Sequence, residues 1–248
     1  DPQAMGGRLV AYDKPGQGRS YAPGMDARAV GLPGLVRHLE ALVRDVGGPV
    51  VLMGHSRGAL PVTALALRRP ELVAGLVLVS SNTLAPPSDV TPADFYVRAY
   101  ADPPEHPDDE YVRRELTMNS FDAGHVDDGI LDARRRAAVE SGWWADRAHR
   151  MQVYPAVSAS LQRGRDEVLG RLSADGLRMP VLLLWGHDDV SAPPQLGDRL
   201  RDLLMASTRD VTAVQVNRSG HYVYREHPGE FMALTRAFRN TLDTANES

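Results

Sequence analysis

Gly54-His55-Ser56-Arg57-Gly58 sets a serine between two glycines, directly after the apolar run VVLM and before the helix-forming stretch ALPVTALALRR. A hydroxyl nucleophile is presented in this way at a sharp strand-to-helix turn. The flanking glycines let the backbones approach closely and leave the Ser56 hydroxyl exposed. The N–H of Arg57, at the start of the helix, faces the site and can stabilise an oxyanion. A serine is a weak nucleophile until a base takes its proton, and that base must be held in one tautomer. Two downstream segments carry the necessary residue types. Trp185-Gly186-His187-Asp188-Asp189 closes the run VLLLW, and Ser219-Gly220-His221-Tyr222 follows VTAVQV. Both stand at strand ends, where ligands collect in open α/β sheets. His221 is the candidate base and Asp189 the candidate orienting acid. Asp188 is the competing carboxylate, its other role being to form the turn.

Other groups have simpler readings beside the chemical one. Asp13-Lys14-Pro15-Gly16-Gln17-Gly18-Arg19-Ser20 contains a Gly-x-Gly, but the third glycine of a phosphate-cradling loop is missing and no helix opens at once. A tight turn at the sheet edge is the better reading. His187, beside two aspartates, has the types of a metal ligand set. With one of those acids needed by His221, it reads as a loop histidine, and no metal is expected. His38 lies in an amphipathic helix and is expected at the surface. Trp143 and Trp144 either line a pocket or pack the helices around it, and the same choice holds for Met151 and Tyr154. No cofactor follows: the glycine-rich segments fail the dinucleotide test, and serine, histidine and acid need only water.

These side chains need strands and helices to hold them. The sequence predicts strands at Arg8–Asp13, Pro49–Gly54, Gly75–Ser80, Val181–Gly186 and Val211–Val216. Three are nearly continuous apolar runs, as expected of parallel strands covered on both faces. Helical spacing of apolar residues covers Leu35–Val46, Arg57–Arg69, Pro193–Met205 and Pro228–Leu242. Pro70 stops the second, and Pro193 and Pro228 stand where a first helical turn tolerates proline. Such alternation predicts an open, mostly parallel, doubly wound α/β sheet. From Thr83 to Gly176 the alternation fails. A proline-rich opening (APPSDVTP, then ADPPEHPDDE) leads into helical pieces at Asp108–Met118, Asp127–Ser141 and Ala145–Met151. Phe95, Tyr96, Tyr100, Phe121, Trp143, Trp144 and Tyr154 are too many aromatics for a disordered linker. The expectation is a helical cap over 84–176, packed on a core made of 1–83 and 177–248.

Composition bounds the function. The chain has 248 residues, 43% hydrophobic and 24% charged, with net charge −4 and no cysteine. That length suits one domain carrying an insertion. The lack of cysteine excludes disulfides, thiolate zinc sites, iron–sulfur clusters and a cysteine nucleophile. An isoelectric point near 6.1 and the absence of a Lys/Arg block argue against nucleic acid or a membrane surface as partner. A small molecule is the expected partner; the oligomeric state is open, with a homodimer among the options. The longest apolar runs are strand-length, too short to span a bilayer. Asp1–Gly7 has neither a basic n-region nor an apolar h-region, so a cytoplasmic location is expected. The chain does not begin with methionine, which leaves room for an earlier processed segment. Lys14 is the only lysine, and with the abundant alanine this reads as a high-GC bacterial coding bias.

D-x-P-G-x-G-x-S, G-H-S-x-G, W-G-x-x-D and G-H, in this order, resemble the α/β-hydrolase superfamily over nearly the whole chain. The resemblance implies the α/β-hydrolase fold, with Ser56 as nucleophile, Asp189 as acid, His221 as base and the helical insertion as a cap over the pocket. In that superfamily the first strands, and a His-Gly dipeptide that supplies the second oxyanion donor, precede D-x-P-G. This sequence starts almost at that motif, so those parts are expected to lie outside it.

A narrower resemblance rests on FYVRAYADP from Phe95, Asn119-Ser120-Phe121-Asp122, VDDGILDAR ending at Arg134, WGHDD ending at Asp189, and GHYVYREHP from Gly220. These segments are similar to the meta-cleavage product hydrolases, which hydrolyse a carbon–carbon bond in 2-hydroxy-6-oxo-dienoates. The resemblance puts the substrate's carboxylate and 2-oxo group on Arg134, whose planar guanidinium suits a bidentate task. The alternative for Arg134-Arg135-Arg136 is a solvated helix face with i,i+4 partners such as Glu140. Members of that subfamily usually have Asn before the serine and Trp after the histidine. Here His55 and Tyr222 take those places, and both are expected to touch substrate. His55 is the residue of ordinary esterases. Carbon–carbon hydrolysis therefore stands beside a carboxylesterase or lactonase on the same triad. Further options are a cofactor-free haloperoxidase or lyase, and a ligand receptor without turnover.

Overall fold

Successive side chains of a strand point to opposite faces, so an unbroken apolar run feeds two cores at once. The computed structural model describes residues 8–90, 95 and 104–245, with the side chains of 243–245 set aside. Strands β1 (Val50–His55), β2 (Val73–Val79), β3 (Val181–Gly186) and β4 (Val211–Val216) lie side by side in that order, all parallel. Helices α1 (Ala27–Val30) and α2 (Leu32–Val46) precede β1, and α3 (Ala59–Arg68) follows it. Helices α4 (Asp109–Thr117), α5 (Asp128–Glu140) and α6 (Arg147–Asp175) stand between β2 and β3. Then α7 (Pro194–Ser207) joins β3 to β4, and α8 (Val223–Glu226) and α9 (Pro228–Ala245) follow the last strand.

Leu52, Leu76, Leu78, Leu183 and Trp185 enter one core, packed by α2, α3, α6 and α7. Val77, Val79, Leu182, Leu184 and Val216 enter the other, packed by Val223 of α8 and Phe231, Phe238 and Leu242 of α9. Each such side chain contributes about 1.5–3 kcal/mol on burial. Strands β2 and β3 are therefore covered on both faces, as their continuous apolar runs predict. A third, small core of Val112, Leu116, Val126 and Leu131 belongs to the insertion alone. Asp108 and Asp127 start α4 and α5 by accepting N–H bonds from Tyr111 at 2.7 Å and Ile130 at 2.8 Å. None of the described helices is long and apolar enough to cross a membrane.

Two expectations are corrected. Arg8–Asp13 is not a strand. An extended run joins a sheet only where a neighbour takes its backbone groups, and none of the described strands does so; Leu9, Val10 and Tyr12 stand exposed. The short helix read at Ala145–Met151 is the start of the 29-residue α6, which runs through Pro155. Val157, Leu161, Val168 and Leu172 of α6 lie in the main core. Met151 and Tyr154 are 62% and 52% exposed. Tyr96, Tyr100, Asp1–Gly7 and most of the stretch 91–103 lie outside the described residues.

Candidate active site

Strand β1 delivers Ser56 to its carboxyl end, where the chain turns through one 3-10 turn (Ser56–Gly58) into α3. Ser56 has φ 52°, a left-handed conformation that a non-glycine residue holds only when its surroundings impose it. A Cβ on Gly54 would stand 2.6 Å from Ala59 Cα, so this glycine is required for the close approach of strand and helix. Gly58 faces open space, and its place in the motif has no such steric basis. Ser81 braces the turn from the end of β2: its hydroxyl donates to the Ser56 carbonyl at 2.6 Å and accepts from Leu84 N–H at 3.1 Å. The N–H of Arg57 lies in the first helical turn, where such groups have no partner within the helix. Lys14 lies close enough to feel the Arg57 charge. Burial first, and then Arg57, lower its ammonium pKa to about 8.

Asp189 and His221, the candidate acid and base, sit on the loops after β3 and β4. Asp189 Oδ2 meets His221 Nδ1 at 2.6 Å, with both residues 2% exposed. The other oxygen, Oδ1, accepts from Ser191 N–H at 2.9 Å, Ser191 Oγ at 2.8 Å and Ala192 N–H at 2.8 Å. An acceptor so fully occupied fixes the carboxylate and, through it, the imidazole: Nδ1 carries the proton and Nε2 is left to accept one. The carboxylate that reaches His221 is that of Asp189. Asp188 instead uses its backbone, donating to the Ser219 carbonyl at 2.8 Å and tying the two loops together. Trp185 of W-G-x-x-D is buried and donates from Nε1 to the Ala192 carbonyl at 2.8 Å, closing the acid's loop.

The backbone of His221 is held on both sides. Its N–H donates to the Asn119 carbonyl at 2.8 Å, and its carbonyl accepts from His55 Nε2 at 2.9 Å. Burial first, and then the neighbouring His221, push the His55 pKa well below its ordinary value, so His55 is a neutral donor. Asn119 Nδ2 also donates to Ser191 Oγ at 3.1 Å, touching the acid's loop as well. Asn119 opens a segment that the narrower resemblance uses, but nothing in the sequence marks its contact with His221, and Ser81 and Ser191 carry no motif. Among the described residues no hydrogen bond joins the Ser56 hydroxyl to His221, a gap common in such sites before substrate binds.

The remaining candidates separate into two groups. Tyr222 lies in the site: its ring centroid is 5.4 Å from that of His221 and 5.5 Å from that of His55, and the Arg225 guanidinium stacks on its face. His55 is 4.5 Å from the His221 ring and 5.2 Å from Tyr224, an aromatic the sequence reading passed over. Arg134 lies in the cap, in a 2.7 Å ion pair with Glu115 and 5.4 Å over the Trp143 ring. Glu140 is not its neighbours' partner either: Arg135 and Arg136 both pair with Asp132. Trp143 is stacked by Arg150 at 3.5 Å, and Trp144 donates to the Glu105 carbonyl at 2.7 Å. His38 is exposed, as expected. The Gly-x-Gly segment is a tight turn in which Asp13 accepts from Arg19 N–H at 2.9 Å. A groove of about 480 Å³ runs along the outer side of the His221 loop, lined by Phe121, His125, Arg218 and Arg225 among others, and holds none of Ser56, Asp189 and His221.

Known proteins with related sequences or folds agree with this architecture. The chain is 26% identical over 238 residues to a 2-hydroxy-6-oxononadienedioate/2-hydroxy-6-oxononatrienedioate hydrolase of Cupriavidus pinatubonensis, covering 95% of this chain and 77% of that protein. It is 24% identical over 231 residues to a pimeloyl-[acyl-carrier protein] methyl ester esterase of Yersinia pseudotuberculosis, covering 93% of this chain and 82% of the relative. The crystal structure of Cfl2 from Burkholderia cenocepacia superposes with a TM-score of 0.69 at 24% identity, over 91% of this chain and 76% of that one. The model of the alpha/beta hydrolase family matches residues 2–234. With that match and the covered parallel sheet that carries the serine, aspartate and histidine at its strand ends, the chain belongs to the alpha/beta hydrolase family and is a hydrolase of it.

Proposed function

We propose that the protein is a serine hydrolase in which Ser56, His221 and Asp189 act as nucleophile, general base and orienting acid, and that its substrate is a 2-hydroxy-6-oxo-dienoate whose carbon–carbon bond it hydrolyses. The observation that carries the reading is the 2.6 Å bond between two buried groups, His221 Nδ1 and Asp189 Oδ2, which leaves Nε2 as the acceptor. His221 takes the Ser56 proton as Oγ bonds to the distal carbonyl carbon of the ketonised substrate. The Arg57 N–H donates to the oxyanion. The carbon–carbon bond then breaks, the electron pair leaves as an enolate, and His221 returns the proton to it. Water, deprotonated by the same histidine, cleaves the acyl-serine and releases the acid. Water is the only co-reactant.

The chain's likeness to a nonadienedioate hydrolase supports the carbon–carbon reading. Two observations favour an esterase on the same residues as the second reading. His55 stands where the carbon–carbon hydrolases usually have Asn. Arg134 already has Glu115 as a partner, so a dienoate carboxylate must displace that pair before it is bound there. Turnover of a 2-hydroxy-6-oxo-dienoate and a short p-nitrophenyl ester, measured side by side, decides between them. Fast loss of the dienoate chromophore with slow ester cleavage is the expected result. Fast ester cleavage with the dienoate untouched overturns the carbon–carbon assignment and leaves the esterase.

A further inference from the structure

Glu226 ends the one-turn helix α8, five residues past His221, and its side chain turns back over the loop that bears the base. Its carboxylate accepts from four backbone N–H groups belonging to two separate segments. Oε1 accepts from Gly220 at 3.1 Å and Tyr222 at 3.3 Å, the two residues that flank His221. Oε2 accepts from Phe121 at 2.8 Å, Asp122 at 3.3 Å and Gly220 at 3.1 Å. Phe121 and Asp122 belong to the insertion, in the loop after α4. The two segments are closely packed here: a Cβ on Gly220 would stand 2.4 Å from the Asn119 carbonyl oxygen and 2.6 Å from Phe121 N. The His221 N–H bond to the Asn119 carbonyl runs through the same junction.

From these contacts we infer that Glu226 is a positioning residue, whose carboxylate fastens the loop carrying His221 to the 119–122 segment of the cap. The inference rests on the assignment of His221 as base. An ionised carboxylate suits the task because it only accepts, through two oxygens with about four lone-pair sites, and the site presents only donors. Glutamine cannot replace it: one of its two terminal groups is an NH2 that would face N–H donors on one side of the junction. Aspartate keeps both oxygens on a side chain one methylene shorter, so it reaches some of the four donors. The consequence is functional. The base is not held by the core alone, and a shift of the cap segment is transmitted to the imidazole. A displacement near 1 Å at a catalytic group costs about 100-fold in rate.

The test combines kinetics with amide exchange on the full chain. Glu226→Gln is expected to lower kcat by about 100-fold on whichever substrate the wild type turns over, with KM little changed. Glu226→Asp is expected to recover part of that loss. In the variant that folds, the amides of Gly220, Tyr222, Phe121 and Asp122 should exchange faster together. In the wild type the four should be protected as one group, a readout that needs no variant. Wild-type kcat in both variants overturns the proposal, as does free exchange of the Phe121 and Asp122 amides beside protected Gly220 and Tyr222. If Ser56→Ala retains turnover, the parent reading fails and kcat no longer reports on His221; the exchange pattern then decides by itself whether Glu226 joins the two segments.

Discussion

The two flanks of the site are held to very different degrees. On the β3–β4 side, Asp189 and His221 are buried, the carboxylate accepts four bonds, and the histidine's backbone N–H and carbonyl are both engaged. On the other side, β1, which leads into Ser56, is the outermost of the described strands. Val51 and Met53 of β1 are 38% and 41% exposed, and Leu9 and Val10, ahead of the glycine turn, are exposed as well. Met53 is in register with Val77, which is 1% exposed on the same face of the sheet. Neighbouring positions one strand apart thus differ by the whole of a burial. The lesson is that Asp189 and His221 are fixed by many hydrogen bonds, whereas Ser56 is fixed chiefly by the backbone turn at Gly54 and Ser56.

Substitutions can sharpen or break this contrast. The largest effect is expected for Asp189→Asn, which leaves the packing but presents a donor to His221 and favours the wrong tautomer. A loss of about 10⁴-fold in kcat is expected in steady-state turnover. Leu78→Ala, in the doubly covered β2, should cost about 2–5 kcal/mol in denaturant unfolding. Gly220→Ala forces a methyl against the Asn119 carbonyl and should cost about 2–3 kcal/mol, read in the same way.

A smaller effect belongs to His55. Its pKa in the folded chain lies well below 6.5, so at acid pH the unfolded chain binds a proton that the folded one refuses. Stability should fall as pH drops below about 6.5 and be flat in this respect above it. His55→Gln, which keeps a donor for the His221 carbonyl, should flatten that acid limb in unfolding curves taken across the range. Met53→Thr on the exposed edge should change stability by no more than about 0.5 kcal/mol. A Met53→Thr cost as large as that of Leu78→Ala would mean that the β1 edge is covered in solution, and the contrast would fail.

Four of the five strands were legible because apolar runs bounded by turn residues have few alternatives in a covered parallel sheet. Val181–Gly186 and Val211–Val216 were read to the residue. Arg8–Asp13 has the same local pattern, and no described strand pairs with it, which local pattern cannot reveal. The length of α6 was hidden by Pro155 and by glycines at 164 and 170; its second half is held by tertiary packing on α2, α3 and α7, which outweighs local propensity. Ser56, Asp189 and His221 were legible because each sits in a spaced motif at a strand end. The residues that brace them were not. Ser81, Asn119 and Glu226 act by meeting backbone groups of segments far away in the chain, and a backbone donor has no sequence signature. Arg134 was legible as a motif position shared with relatives, whereas its partner Glu115, nineteen residues earlier in the chain, was not.

The central claim is that Ser56 is a nucleophile activated by the His221–Asp189 pair. Its most direct test is the rate and site of covalent labelling by a serine-directed phosphonate, read by peptide mass spectrometry. The account predicts one adduct, on Ser56, lost in Ser56→Ala and formed far more slowly in Asp189→Asn. Labelling of Ser56→Ala at the wild-type rate, or an adduct on another residue, would contradict it.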